Sequence, residues 1–126
     1  IKDGKILLMY REKYGEKYWT FPGGGVESSE KPEDAVIRET LEETTINSKL
    51  DKLLYVDEHK THRQYYYVCN YISGTPKVGK GSIEEEKMRT EDNYYKPQWV
   101  DLGELPNLLL HPVEIRDKLI KDLKNL

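Results

Sequence analysis

The chain has 126 residues, 34% of them charged and 37% hydrophobic, with a net charge of −3. That length suits one domain with a real core, and that composition suits a globular protein, neither disordered nor membrane-embedded. No apolar run approaches membrane-spanning length and no signal-peptide pattern opens the chain. Cys69 is the only cysteine, which excludes an intrachain disulfide and points to a reducing, cytoplasmic setting. In its apolar run it reads as buried filler and not as a nucleophile.

In chain order, Asp3-Gly4-Lys5 reads as a turn, and because the sequence starts at Ile1 without Met, a first strand ahead of it is expected to have been trimmed. Lys5 to Arg11 reads as a buried strand and Tyr18 to Phe21 as a short one. Pro22-Gly23-Gly24-Gly25 breaks regular structure. Pro32 followed by Glu33 and Asp34 opens a helix, with Lys31 a poor N-cap, that runs to about Thr44. Its apolar stripe is Val36, Ile37, Thr40 and Leu41. Strands are expected over Leu50 to Glu58, Gln64 to Ile72 and Tyr95 to Leu102, a long loop over residues 74 to 93, and one helical turn over Gly103 to Leu110. Pro112 opens a final amphipathic helix carrying Ile115, Leu119, Leu123 and Leu126 near one face. Periodicity thus gives a mixed α and β chain without repeats or long linkers, read as a single domain over residues 1–126.

The acid is concentrated. Residues 27–43 hold seven carboxylates and two bases, a charge of −5 against −3 for the whole chain, which leaves +2 elsewhere. Glu39, Glu42 and Glu43 stand at i, i+3 and i+4 and project from one helical face. Like charges at that spacing oppose the helix unless a cation sits among them. Hard divalent ions such as Mg²⁺ choose such oxygens and share the site with substrate phosphates. The weakly basic remainder argues against a nucleic-acid surface. His59 and His62 are three apart, but no further Cys or His stands at a spacing that completes a zinc site. Tyr65-Tyr66-Tyr67 alternate across a strand, and these rings, with Trp19, Tyr94 or Trp99, are candidates to stack on a base or ribose.

Gly24, Glu30, Arg38, Glu39, Glu42, Glu43 and Ile46 fall in register with the Nudix box, and Trp19-Thr20-Phe21-Pro22-Gly23 resembles the usual approach to it. Thr40 replaces an aliphatic residue of that pattern. Thr45 replaces the glycine that ends its helix, where a β-branched residue resists the left-handed conformation, and Asn47 is the expected substitute there.

The resemblance implies a Nudix α/β/α sandwich with a mixed sheet. It implies a Mg²⁺-dependent hydrolase, with Mn²⁺ as substitute, that cleaves the diphosphate of a nucleoside diphosphate linked to a group X. The alternatives are a nucleoside triphosphate pyrophosphohydrolase and a catalytically silent nucleotide-sensing module. It implies Glu39, Glu42 and Glu43 as metal ligands with the Gly24 carbonyl, Arg38 as a positioning residue that forks onto a carboxylate, and Glu30 as a brace between loop and helix. The general base is Glu43 within the box, or Glu85 or Glu86 in the acidic run after Ile83. The expected partner is a small nucleotide substrate, with no stable nucleic-acid complex and no membrane; a homodimer is left open.

Overall fold

The computed structural model describes residues 1–23, 26–59, 62–77 and 93–125. The Asp3-Gly4 turn exists: Lys2 and Lys5 exchange backbone hydrogen bonds across it at 2.8 and 2.9 Å. Strand β1 (Lys5–Lys13) follows, and β2 (Glu16–Thr20) pairs with it antiparallel from Lys13 opposite Glu16 to Met9 opposite Thr20. The two-residue loop between them, Tyr14 and Gly15, has φ of 50° and 82°. Two consecutive positive φ values match the right-handed twist of a tight hairpin, and glycine takes the second at no steric cost.

Helix α1 (Pro32–Thr44) leads into a long antiparallel hairpin, β3 (Asn47–His59) and β4 (His62–Ser73), whose register shifts three times, between Asn47 and Ser48, between Leu50 and Lys52 and between Leu53 and Tyr55. Strand β5 (Asn93–Asp101) returns alongside β1. A 3-10 helix (Leu102–Asn107), a two-residue strand β6 (Leu110–His111) and helix α2 (Val113–Asp122) complete the chain, with a last 3-10 turn at Leu123–Asn125. The main sheet has the order β5-β1-β2-β6; β2 and β6 run parallel while the other neighbours are antiparallel, so the sheet is mixed as expected. The hairpin β3-β4 forms a second, two-stranded sheet. Helix α1 packs on the hairpin and α2 on β6 and the preceding 3-10 helix.

Ile6, Leu7, Leu8 and Met9 are all buried. Successive side chains leave a strand on opposite faces, so β1 is covered on both, which is why it reads as a continuous apolar run. Ile6 and Leu8 join Leu105, Leu110 and Leu119 in the core, with Trp19, Phe21, Leu54, Tyr55 and Val100 packed around them. Leu8, Leu105 and Leu110 are wholly excluded from solvent, each contributing roughly 1.5–3 kcal/mol of transfer free energy. Two of these three come from the 3-10 helix and β6. Residues 103 to 110, expected as one helical turn, therefore form a 3-10 turn and a strand that carry core anchors. His111 ends β6, edge to face with Tyr18 at 5.4 Å.

Candidate active site

Helix α1 starts where its sequence says. Pro32 sits in the first turn with Glu33 and Asp34, favourable to the positive end of the helix dipole. Lys31 gives no side-chain cap; its carbonyl instead accepts from the Asp34 and Ala35 amides at 3.0 Å each. The buried face differs from the expected stripe. It is Ala35, Thr40, Glu43 and Thr44, while Leu41 is 46% exposed. Thr40 and Thr44 bury well because the Thr44 hydroxyl donates to the Thr40 carbonyl at 2.6 Å and accepts the Ile46 amide at 3.2 Å.

The helix ends on Thr45 itself, left-handed at φ 59°, with its amide donating to the Leu41 carbonyl at 2.9 Å. Asn47 does not take over; it begins β3. The physical reason lies downstream. Thr45 Oγ1 donates to the Thr75 carbonyl at 2.7 Å, and the Lys77 amide donates to the Thr44 carbonyl at 3.0 Å. Gly74, at φ 111°, lies so close that a Cβ there would stand 2.5 Å from the Thr45 oxygen. The segment after β4 thus closes the helix end, and its hydrogen bonds offset the roughly 1–2 kcal/mol that a non-glycine left-handed residue costs.

Arg38 is the hub of the polar face. Its Nε and Nη2 donate to the two oxygens of Glu30 at 2.7 and 2.8 Å, and Nη1 donates to Glu39 at 2.8 Å and Glu42 at 3.1 Å, with Glu27 at 3.8 Å. The Glu30 carboxylate also accepts the Glu27 amide at 3.1 Å. Held by Arg38 first and by that amide second, Glu30 is drawn down to about 2. The same pairing, with Glu30 first and Glu39 next, pushes the Arg38 guanidinium up, so it stays charged throughout.

Glu39, Glu42 and Glu43 do share α1, but their surroundings differ. One Arg38 nitrogen draws an oxygen of Glu39 and an oxygen of Glu42 together, and the Glu42 side chain is 54% exposed. Glu43 is buried and accepts the Gly23 amide at 3.0 Å. Gly23 has φ 146°, open to glycine and rarely to other residues, so the loop reaches the helix there. Arg38 and Gly23 bond one oxygen of each of these carboxylates, and among the described residues no group of three or more His, Cys, Asp or Glu closes into a cage. The donor chemistry still fits a hard divalent cation: the ligands are carboxylate oxygens, and Mg²⁺ keeps several waters and substrate oxygens and needs only one or two carboxylates. Gly24, Glu85 and Glu86 lie outside the described residues, as do the side chains of His59 and His62.

Beside Gly23 opens a cleft of about 820 Å³ between the main sheet and the hairpin. Of the rings singled out in the sequence, Tyr65, Tyr66, Tyr67 and Trp99 line it. Trp19 and Tyr94 do not; they flank Tyr10, at 5.1 and 6.3 Å between centroids. The alternation of the three tyrosines holds: Tyr65 stacks on Tyr67 at 6.4 Å, and Tyr66 turns the other way to meet Phe21 edge to face at 5.6 Å. Phe21 was not evident as a site residue in the sequence; its place between Trp19 and the glycines was the available signal. Cys69 is half-buried at the cleft wall, and that burial pushes its thiol up, away from nucleophilic use.

The NUDIX domain family matches residues 1–123, and the chain belongs to that family. It is similar to mouse diphosphoinositol polyphosphate phosphohydrolase 3-alpha, 37% identical over 70 residues that make up 53% of this chain and 42% of that protein. The matched part thus spans well under half the length of that relative. Among solved structures, a MutT from work on Aliivibrio salmonicida and Vibrio cholerae superposes with a TM-score of 0.71 at 24% identity, over 94% of this chain and 84% of that one. A MutT NUDIX hydrolase from Burkholderia pseudomallei gives 0.53 at 27% identity, over 92% of this chain and 88% of that one. The fold is the α/β Nudix fold.

Proposed function

We propose that this protein is a divalent-cation-dependent hydrolase that cleaves the phosphoanhydride of a nucleoside diphosphate linked to a group X. One observation carries the reading: Glu43, last of the acidic face organised by Arg38, accepts the amide of Gly23, and Gly23 lines a cleft large enough for an organic substrate. The names of the relatives, a diphosphoinositol polyphosphate phosphohydrolase and a NUDIX hydrolase, support diphosphate chemistry.

In the reaction a water oxygen forms a bond to one phosphorus, the bond from that phosphorus to the bridging oxygen breaks, and two phosphate monoesters leave. Glu39, Glu42 and Glu43, with the Gly24 carbonyl, would hold the cation; Mg²⁺ is expected and Mn²⁺ is the substitute. When bound, it supplies charge neutralisation at phosphoryl oxygen and a lowered pKa for water. Arg38 acts through the carboxylates, fixing the rotamers of Glu39 and Glu42 and the position of the loop by way of Glu30. Glu43 takes the proton of the attacking water, its rotamer fixed by the Gly23 amide. Glu85 and Glu86 are the rival bases.

The described lining of the cleft favours this reading over an inositol-type substrate. Arg63 is the one Lys or Arg among its described lining residues, whereas a ring bearing many phosphates calls for several cations. The test is a panel of dinucleotides, nucleotide sugars, ADP-ribose, nucleoside triphosphates and a diphosphoinositol polyphosphate with Mg²⁺ or Mn²⁺, read by phosphate-containing products. Hydrolysis confined to the triphosphates or to the inositol compound would replace the proposal, and binding without any turnover would leave a nucleotide-sensing module.

A further inference from the structure

In the hairpin register Tyr55 stands opposite Tyr66 and Asp57 opposite Gln64. Directly opposed residues share a face, so these four side chains sit together on the side of the hairpin where Tyr66 meets Phe21. The two rings are 73° apart in plane and 5.6 Å between centroids. At that separation nothing fits between them. A T-shaped pair instead makes a corner, in which a planar guest lies flat on one ring and against the other. Phe21, Gln64 and Tyr66 all line the cleft. The Tyr66 hydroxyl donates to Gln64 Oε1 at 3.1 Å, which leaves the two amide hydrogens of Gln64 as donors at the hydroxyl end of the ring. Burial first, then the charge of Asp57, pushes the Tyr66 hydroxyl up, so it remains a neutral donor. Phe21 is two residues from Gly23, whose amide meets Glu43. Two residues of chain span at most about 7 Å, roughly the reach of one sugar between a base and its first phosphate.

We propose that this corner is the nucleobase subsite: the base lies flat on Tyr66 against Phe21, and Gln64 donates to an acceptor on its edge. The proposal rests on the diphosphate-hydrolase reading and assigns the residues that set its specificity. The apolar ring faces account for affinity, and the Gln64 amide for a preference among bases, since a carbonyl or ring-nitrogen acceptor satisfies it and an amino group does not.

The experiment measures binding of the four nucleoside monophosphates and of ribose 5-phosphate to the intact protein by calorimetry. It is paired with kcat and KM for the best diphosphate substrate. Wild type should bind its preferred monophosphate at least about tenfold tighter than ribose 5-phosphate. Tyr66→Leu should weaken that monophosphate by about ten- to a hundredfold, the range of one base-on-ring stack, and leave ribose 5-phosphate unchanged. KM should follow the binding loss and kcat should change little. Gln64→Leu, at an exposed strand position where surface substitutions usually change stability little, should flatten the preference among bases. Equal binding of base-bearing and base-free compounds by wild type overturns the subsite. So does a Gln64→Leu variant with its base preference intact. Failure of hydrolysis alone overturns the catalytic reading and not this one, because the binding measurements need no turnover.

Discussion

The Arg38 guanidinium forks onto both oxygens of Glu30, at 2.7 and 2.8 Å, and thereby ties the loop ahead of α1 to the helix that carries the acidic face. An eight-residue separation in sequence becomes a bidentate contact because a planar guanidinium matches the two carboxylate oxygens. The remaining Nη1 nitrogen turns to Glu39 and Glu42. One side chain thus sets the loop and two proposed ligands at once.

Arg38→Lys removes that geometry while retaining the charge. An ammonium cannot donate in two parallel directions to Glu30 and also reach Glu39 and Glu42. Turnover should fall at least about tenfold and the melting temperature should drop, measured on the same preparation by product release and by thermal denaturation. Full activity in the lysine variant would show that charge, and not the fork, is what the site requires.

Glu30 gives a pH signature. Its folded-state value is about 2 against an ordinary 4.5. A carboxylate depressed on folding contributes stability that is present above the ordinary value and is lost as pH falls through the folded one. Wild type and Glu30→Gln should therefore differ most above pH 4.5, and the gap should close towards pH 2, as followed by urea midpoints across that range. A gap independent of pH would mean that the contact contributes through packing alone.

Glu42→Gln and Glu43→Gln keep size and remove charge. A glutamine oxygen can still accept the Gly23 amide that Glu43 accepts at 3.0 Å, so the fold should survive. Each change should weaken Mg²⁺ binding and lower turnover by at least about 100-fold, as when a cation that activates water is lost or misplaced. Metal titrations alongside rates check it. Near wild-type hydrolysis in both variants would place the chemistry elsewhere.

The end of α1 yields a paired expectation. Gly74→Ala brings a Cβ to 2.5 Å from the Thr45 oxygen at a φ of 111°, so it should destabilise by at least about 1–3 kcal/mol. Thr45→Gly relieves a left-handed β-branched residue, a gain of roughly 1–2 kcal/mol, but loses the hydrogen bond to Thr75, a loss of about 1 kcal/mol. Its net effect should lie within about 1 kcal/mol of zero. Equilibrium urea unfolding of both variants decides. A large loss from Thr45→Gly would mean that the Thr75 contact does more than offset backbone strain.

That helix end also marks what was legible in the chain. Pro32, Glu33 and Asp34 announced the helix start, and Thr44 its last residue, because those signals are local. The left-handed Thr45 was not legible, since its support comes from Gly74, Thr75 and Lys77, some thirty residues on. Strand β6 escaped for a related reason: two residues in parallel pairing, Trp19 with Leu110 and Thr20 with His111, carry no periodicity. The buried face of α1 departs from the expected stripe at Leu41: Thr40 and Thr44 are buried instead, the Thr44 hydroxyl being bonded to the Thr40 carbonyl within the helix. The acidic face was legible from spacing, but its organisation around a single guanidinium emerged only in three dimensions.

The identity of the general base separates the box from the acidic run that follows Ile83. If Glu85 or Glu86 takes the proton of the attacking water, glutamine at that position should lower turnover sharply while Mg²⁺ and substrate affinity stay nearly intact, because a base acts in the transition state. If Glu43 serves, the Glu85→Gln and Glu86→Gln variants should alter substrate affinity at most. Single-turnover hydrolysis at saturating metal, for both single variants and the double, distinguishes the two. We expect Glu43, since it is fixed by the amide of Gly23, a residue of the cleft lining, and stands at a matched motif position. A rate loss below about tenfold in the double variant excludes the run as the source of the base; a loss near the 10²–10⁴-fold of general-base catalysis would move the role there.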